Sequence, residues 1–371
     1  RGRGPGVSAS EAFARVAEQA VDRMLALDPV SATWLGDHRF DGSLPDLSSA
    51  GVKAALGVID DAVTEVDAVD DLELDVDDLV DLETCRSGLQ RARFELADLR
   101  RHEWDPLTWN PGTALYLLVA REIGPAADRA EALVSRLRLV PDHLATGRAQ
   151  LSHMSAIHVE TAIAQLAGTR ALIDGPVRRA VAGSADPVDA AGAVDAAVRA
   201  VDEFVGWLTG RLATADRDPR LGSRLYAGAL WHGLDEQTSA TDLLAAAYAR
   251  LDELTGEMAD LAAQYLGRDA AGGAGGAGGA GVAAALAQIA ADAPVDDRTV
   301  LGEMELALAA TTAFVAEQGL VRVPQLDVRV IEMPQLHRGV AVAYCDAPGP
   351  LEAARVPTFV AVSPAPADWS P

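Results

Sequence analysis

The stretch VDAAVRAVDEFVGWLTGRL, residues 194–212, decides what kind of fold this chain forms. Its apolar residues Val194, Val198, Val201, Val205, Leu208 and Leu212 follow one another in alternating steps of four and three. An α-helix turns once in about 3.6 residues, so these steps draw one apolar stripe along one helix face. Leu244, Ala247, Leu251, Leu254, Met258, Leu261 and Tyr265 repeat the pattern. Each stripe predicts a long helix packed in an antiparallel bundle. Short loops separate these helices from other apolar helices, which favours a bundle over a free-standing coiled coil.

The rest of the chain extends the helical reading. Ser8 and Glu11 form a capping-box pattern ahead of Phe13, Val16, Ala20, Val21 and Met24, and Asp28-Pro29 closes that helix. Residues Gly36 to Ser49, GDHRFDGSLPDLSS, read as a loop, and Leu82, Cys85, Leu89, Ala92 and Leu96 return to helical spacing. AAGGAGGAGGAG, residues 270–281, reads as a flexible loop between helices. It holds a formal G-x-G-x-x-G at Gly273, Gly275 and Gly278, but a helix rather than a buried strand precedes it, so nucleotide binding is not expected. After a helix over roughly residues 299–318 the period falls to two in QLDVRVIEM, and short β-like runs follow in GVAVAYCD and VPTFVAVS. The expectation is a mainly α fold: a large antiparallel helical bundle array over residues 1–320, then a small antiparallel sheet and connecting loop over 321–371.

Composition bounds the function. Of 371 residues, 49% are hydrophobic and only 5% aromatic, so the core is built mainly from Ala, Val and Leu. The net charge of −24 argues against general affinity for nucleic acid or anionic membranes, which need a cationic face. Cys85 and Cys345 are the only cysteines, and two thiols cannot make a cysteine zinc knuckle. The start, RGRGPGVSAS, shows no secretory signal, although a trimmed signal would leave no trace. Ala270 to Ala291, the longest uncharged run, is Gly and Ala rather than Leu and Ile, a poor membrane span. A soluble, cytoplasmic protein is expected.

A census of reactive groups finds no complete catalytic set. His153 and His158 are five apart, so they do not make the i, i+4 pair of H-E-x-x-H. His102-Glu103 lacks a second histidine, and His158-x-Glu160 lacks a following P-C-x-x-C. In the acidic run from Asp60 to Glu83, a calcium loop beginning at Asp71 would need Gly and Glu where Val76 and Leu82 stand. No G-x-S-x-G elbow is present.

Five segments carry a resemblance: DPVSATWLGDHRFDGSLPDLS, RHEWDPLTWNPG, RLGSRLYAGALWHGLDEQTSATDLL, VRVIEMPQLHRGVAVAYCDAPGPLE and TFVAVSPAPADWSP. In this order they resemble a large bacterial family catalogued as a domain of unknown function, whose members look like helical zinc metallopeptidases of the gluzincin type. The resemblance implies metal-assisted hydrolysis of a peptide or related amide. It also implies that a loop like SPAPADWSP leads into a zinc helix bearing H-E-x-x-P-G-H, which residues 1–371 do not contain. No catalytic or metal-binding residue is therefore assigned within the chain. Zinc is expected for the full-length family member and no catalytic zinc for this chain, which is expected to be an inactive, truncated, substrate-covering portion. In such folds a sheet edge pairs with the extended substrate, which makes Arg338 and Tyr344 candidates for a carboxylate clamp or oxyanion donor. His38, Trp109 and Asn110 are candidates for the opposite wall. In the competing reading Arg338 caps its turn, Tyr344 packs on a helix, and the chain is a complete non-catalytic binding or scaffold protein. The sequence does not determine its oligomeric state.

Overall fold

In the computed structural model of the protein, which describes residues 8–234, 238–267, 278–292, 296–338 and 341–364, helices dominate as the apolar periodicity predicts. Helix α1 (Ala9–Leu27) opens on Ser8, whose hydroxyl accepts from the Glu11 N–H at 3.2 Å while the Glu11 carboxylate takes the Ser8 N–H at 2.9 Å. The capping box is thus complete, and two otherwise orphaned donors are satisfied. Asp28 then caps α2 (Pro29–Leu35), accepting from the Ser31 N–H at 3.0 Å. α3 (Ser49–Asp67) and α4 (Val76–Phe94) follow, and α4 continues through a π-helical turn over Glu95–Leu99.

α5 (Gly112–Ala120), α6 (Ala126–Gln150) and α7 (Ala156–Leu172) build the centre. A second π-helical turn joins α7 to the short α8 (Arg178–Val181), and α9 (Pro187–Arg211) returns along α6. α10 (Gly222–Leu234), α11 (Ala240–Tyr265), α12 (Gly278–Asp292) and α13 (Val300–Gln318) complete the helical part. Residues 278–281, expected in a flexible Gly/Ala loop, instead form the first turn of α12. The remainder of that loop, with Gly273 and Gly275, lies outside the described residues, as does the stretch from Ala365 onward.

The main core sits where α6, α7 and α9 meet. Val194, Val201, Phe204 and Leu208 of α9 are fully buried against Leu133, Leu137, Val140 and Leu166, while Val198, Val205 and Leu212 are partly buried. Each fully buried aliphatic side chain here stabilises the fold by about 1.5–3 kcal/mol. A second core joins Phe13 and Ala20 of α1 to Ala62 and Val66 of α3 and Leu82 and Leu89 of α4.

The α11 stripe behaves differently. Leu244, Leu251, Leu254, Met258, Leu261 and Tyr265 are between 38% and 63% exposed. α11 packs along α12 and touches α10, and it buries Ala262 rather than its large side chains. The stripe exists as predicted, but no described element of this chain covers it.

The sheet also differs from expectation. β1 (Val328–Glu332), β2 (Ala343–Asp346) and β3 (Thr358–Val362) lie in the order β1-β3-β2. β3 runs parallel to β1 and antiparallel to β2, so the sheet is mixed rather than antiparallel. A turn over Gln335–His337 packs on α7 and carries the chain away from β1. β3 then takes the centre because it alone is apolar on both faces: Phe359, Ala361 and Val362 are all buried.

One polar residue ties these parts together. Arg136 of α6 is fully buried. Its guanidinium donates to the Ser43 carbonyl at 3.0 Å, the Ala114 carbonyl of α5, the Pro29 carbonyl at 3.2 Å and the Thr33 hydroxyl at 2.7 Å. Burial pulls its pKa down to about 10, and the nearby Asp41 and Asp28 oppose that shift. The group therefore stays charged at neutral pH and needs all its acceptors. Arg136→Ala, which strands those acceptors in a water-free site, is expected to cost about 3 kcal/mol or more. Urea unfolding monitored by circular dichroism measures this, and a midpoint unchanged from wild type contradicts it.

Candidate functional site at the helix–sheet seam

Segments remote in sequence meet where the sheet joins the helical body. Gly36 ends α2 with φ +95°, a left-handed conformation that costs little without a Cβ. A Cβ there would fall 2.2 Å from the backbone nitrogen of Glu352, and one on Gly349 would fall 2.2 Å from the Leu35 carbonyl carbon. The two glycines thus let two backbones touch, and the Leu351 N–H reaches the Leu35 carbonyl at 2.8 Å.

His38 fastens the same junction. Its Nε2 lies 3.0 Å from the Glu352 carboxylate and its Nδ1 3.0 Å from Asp41. Burial works against the imidazolium, but Glu352 and Asp41 outweigh it and hold the pKa above the ordinary histidine value. On the far side of the sheet loop, Arg121 donates to the Asp346 carbonyl at 2.7 Å and pairs with its carboxylate at 2.9 Å, both residues being buried.

Between these fastenings lies a pocket of about 290 Å³, bordered by Trp34, Thr113, Tyr116, His337, Tyr344 and Asp346 among others. Three rings organise it. His337 Nδ1 is 2.9 Å from the Tyr344 hydroxyl, and the His337 ring meets Tyr116 and Tyr344 edge-on at 5.2 and 5.4 Å. Burial raises the pKa of Tyr344 and of Tyr116, with the Asp346 charge adding to each, and burial lowers that of His337. At neutral pH the pocket therefore presents neutral phenols and a neutral imidazole, groups suited to hydrogen-bonding a carbonyl oxygen. β2, which carries Tyr344, is an edge strand of the described sheet, the kind of edge on which another extended chain can add.

The five residues singled out from the sequence do not share one cleft. Tyr344 lines the seam pocket and His38 clips the loops beside it. Arg338 folds back on its own turn, donating to the Met333 carbonyl at 2.9 Å and the Glu332 carboxylate at 2.5 Å. Trp109 is a core residue with no exposed surface, its indole N–H bound to the His102 carbonyl at 3.0 Å. Asn110 accepts from the Gly112 N–H at 2.9 Å and the Thr169 hydroxyl at 2.7 Å, beside a different cavity. No local sequence signal marks Tyr116, Arg121 or Asp346 as site residues. His337 adjoins Arg338 in MPQLHRG, but no spacing rule pairs it with Tyr116.

Both cysteines are free thiols. Among the described residues no three His, Cys, Asp or Glu side chains are grouped to hold a metal ion. These residues do not fit the zinc that the resemblance implies.

The His38 clip has a pH signature. Because its pKa is raised in the folded state, its stabilisation is complete below the ordinary value of about 6.5 and fades as pH rises through the raised pKa. Thermal unfolding midpoints followed from pH 6 to about pH 9 are expected to fall more steeply for the native protein than for Glu352→Gln. Identical slopes contradict the clip.

No helix among the described residues is long and apolar enough to cross a membrane. No curated protein matches the chain. Among solved structures, a "putative lipoprotein of unknown function" from Shewanella oneidensis superposes with a TM-score of 0.73 at 20% identity, covering 96% of this chain. A "putative lipoprotein" from Colwellia psychrerythraea superposes with a TM-score of 0.69 at 14% identity, again over 96% of this chain. These identities show a common fold alone. The chain spans 65% of the first relative's length and 68% of the second's. Residues 29–370 match the family described as "Bacterial protein of unknown function (DUF885)", and with the match running over nearly the whole chain, this protein belongs to that family.

Proposed function

We propose that this chain is the substrate-covering portion of a hydrolase of the zinc metallopeptidase type, with the seam as the wall along which an extended peptide or amide lies. The observation that carries the reading is the edge position of β2 beside a pocket that presents neutral phenol and imidazole groups. An extended substrate adds as a further strand on that edge, and a side chain or carbonyl reaches Tyr344, Tyr116 and His337. Two of the segments that carry the family resemblance, around Trp34–His38 and His337–Glu352, converge there. The hydrolytic step and its metal belong, in this reading, to polypeptide corresponding to the third of the relatives' length that this chain does not span. The exposed apolar faces of α11 to α13, including Tyr248, Leu251, Leu261, Leu286, Leu306 and Phe314, support an additional mass of protein packed over them.

Cytoplasmic placement belongs to the same reading. The lipoprotein names of both structural relatives point the other way, toward an anchored protein outside the cytoplasm, and cell fractionation decides between the two.

The function is tested with residues 1–371 and with a longer product encoded by the codons that follow in the source gene. Chelator-sensitive cleavage of a mixed peptide pool is expected from the longer product and none from residues 1–371 alone. In the longer product, Tyr344→Phe is expected to raise KM about tenfold, the loss of one hydrogen bond to substrate. Robust cleavage by residues 1–371, or an in-frame stop codon directly after Pro371, overturns the reading, and the stop codon favours a non-catalytic scaffold.

A further inference from the structure

A larger pocket shares only Thr113 with the lining of the seam pocket. Between α1, α3, the π-helical turn after α4 and the loop over Leu44–Leu47 is a cavity of about 450 Å³. Close-packed interiors leave few voids larger than a water molecule, whereas small-molecule sites span about 300–1,000 Å³. The walls are largely aliphatic, with Met24, Leu27, Val30, Val52, Ile59 and Leu96 among them. His143 closes one side, its ring 5.0 Å from that of Trp109. Burial, partly offset by a hydrogen bond to the Trp109 backbone, pushes its pKa down to about 4, so this wall carries no charge at neutral pH.

The polar groups of the cavity are unequally occupied. Asp28, Asp46 and Glu95 line it, and no Lys or Arg does. Asp28 is engaged by Ser31, and Asp46 accepts from the Ser48 N–H at 3.0 Å. The half-buried Glu95 carboxylate has no partner among the described residues. With Leu47, Leu96 and Thr108 it also borders an outer pocket of about 380 Å³, which places it at the neck between the two spaces. Arg101, the basic residue of the outer pocket, is held by Asp105 at 2.7 Å.

The backbone is built around this neck. Glu95 begins the π-helical turn, closed by the Arg100 N–H to Glu95 carbonyl bond at 3.0 Å, and Arg100 takes a left-handed φ of 51°. Such turns recur at functional sites, and positive φ is uncommon outside glycine. Nearby, both side-chain hydrogen bonds of Asn110 use Oδ1, leaving its side-chain amide N–H groups without a partner among the described residues.

We propose that this cavity binds a small amphiphile with an aliphatic or aromatic body and a cationic amine head. The body fills the space between Met24, Ile59 and Leu96, and the amine sits at the neck against Glu95. A carboxylate head would enter a space lined by three acids and no base, so charge alone selects against fatty acids.

Calorimetric titration of residues 1–371 at neutral pH with n-decylamine, 1-decanol and decanoate, each below its aggregation concentration, tests the proposal. Decylamine is expected to bind at least about tenfold more tightly than decanoate, and Glu95→Gln to reduce its affinity about tenfold, to the level of decanol. Ala92→Leu places added bulk in the cavity wall and is expected to remove binding of amine and alcohol alike, with circular dichroism reporting whether the fold persists. If that variant does not fold, Ala55→Val, at another lining position, serves in its place. No binding of amine or alcohol by the native protein overturns the proposal. So does equal affinity for amine and carboxylate, or amine binding that survives both substitutions, which would place it on the exposed faces of α11 to α13.

Discussion

A guanidinium without access to water sets the geometry on which the rest of this structure depends. Arg136 leaves α6 at the centre of the main core and collects acceptors from α2, from the loop at Ser43 and from α5. α2 and the Ser43 loop are short and bury few large side chains, whereas α5 is itself part of the core through Leu115, Leu117 and Leu118. Removing a cation from water is costly, and the cost is offset only when several dipoles converge on it at hydrogen-bond distance. The same requirement works in reverse: elements that must converge on the cation are held in one relative position.

That position is passed outward to the seam. The Thr33 hydroxyl, which accepts from Arg136, also lies 2.7 Å from the Asp41 carboxylate, and Asp41 in turn meets His38, which reaches Glu352. A hydrogen-bonded path thus runs from the buried centre of α6 to the loop before β3. Two glycine contacts and the buried Arg121–Asp346 pair fix the sheet on either side of it. The seam pocket, with Tyr116 from a helix and His337 and Tyr344 from the sheet region, is a product of this alignment.

Local rules made much of the architecture legible in the sequence. The Ser8–Glu11 box, the end of α1 at Asp28, the buried face of α9 and the positions of the three strands all follow from spacing and capping. Long-range decisions were not legible. The α11 stripe has the same spacing as that of α9, yet its large residues remain exposed, because periodicity marks a face without saying what covers it. The mixed sheet escaped for a related reason, since strand order depends on how the Gln335–His337 turn packs on α7. Trp109, expected at a cleft wall, is enclosed in the core, and Tyr116 and His337 became partners only through the fold.

The sequence by itself determined the helical class, the helix ends, the β-like runs and the lack of a complete catalytic motif, all matters of residues close together in the chain. Only the tertiary structure decided which faces are covered, which ionisable groups are neutral and which side chains share a pocket. Those properties arise from burial and from contacts across more than two hundred residues, such as Thr113 to His337 and Arg121 to Asp346. Desolvation and Coulomb interactions depend on distance in space, which no local spacing in a sequence encodes.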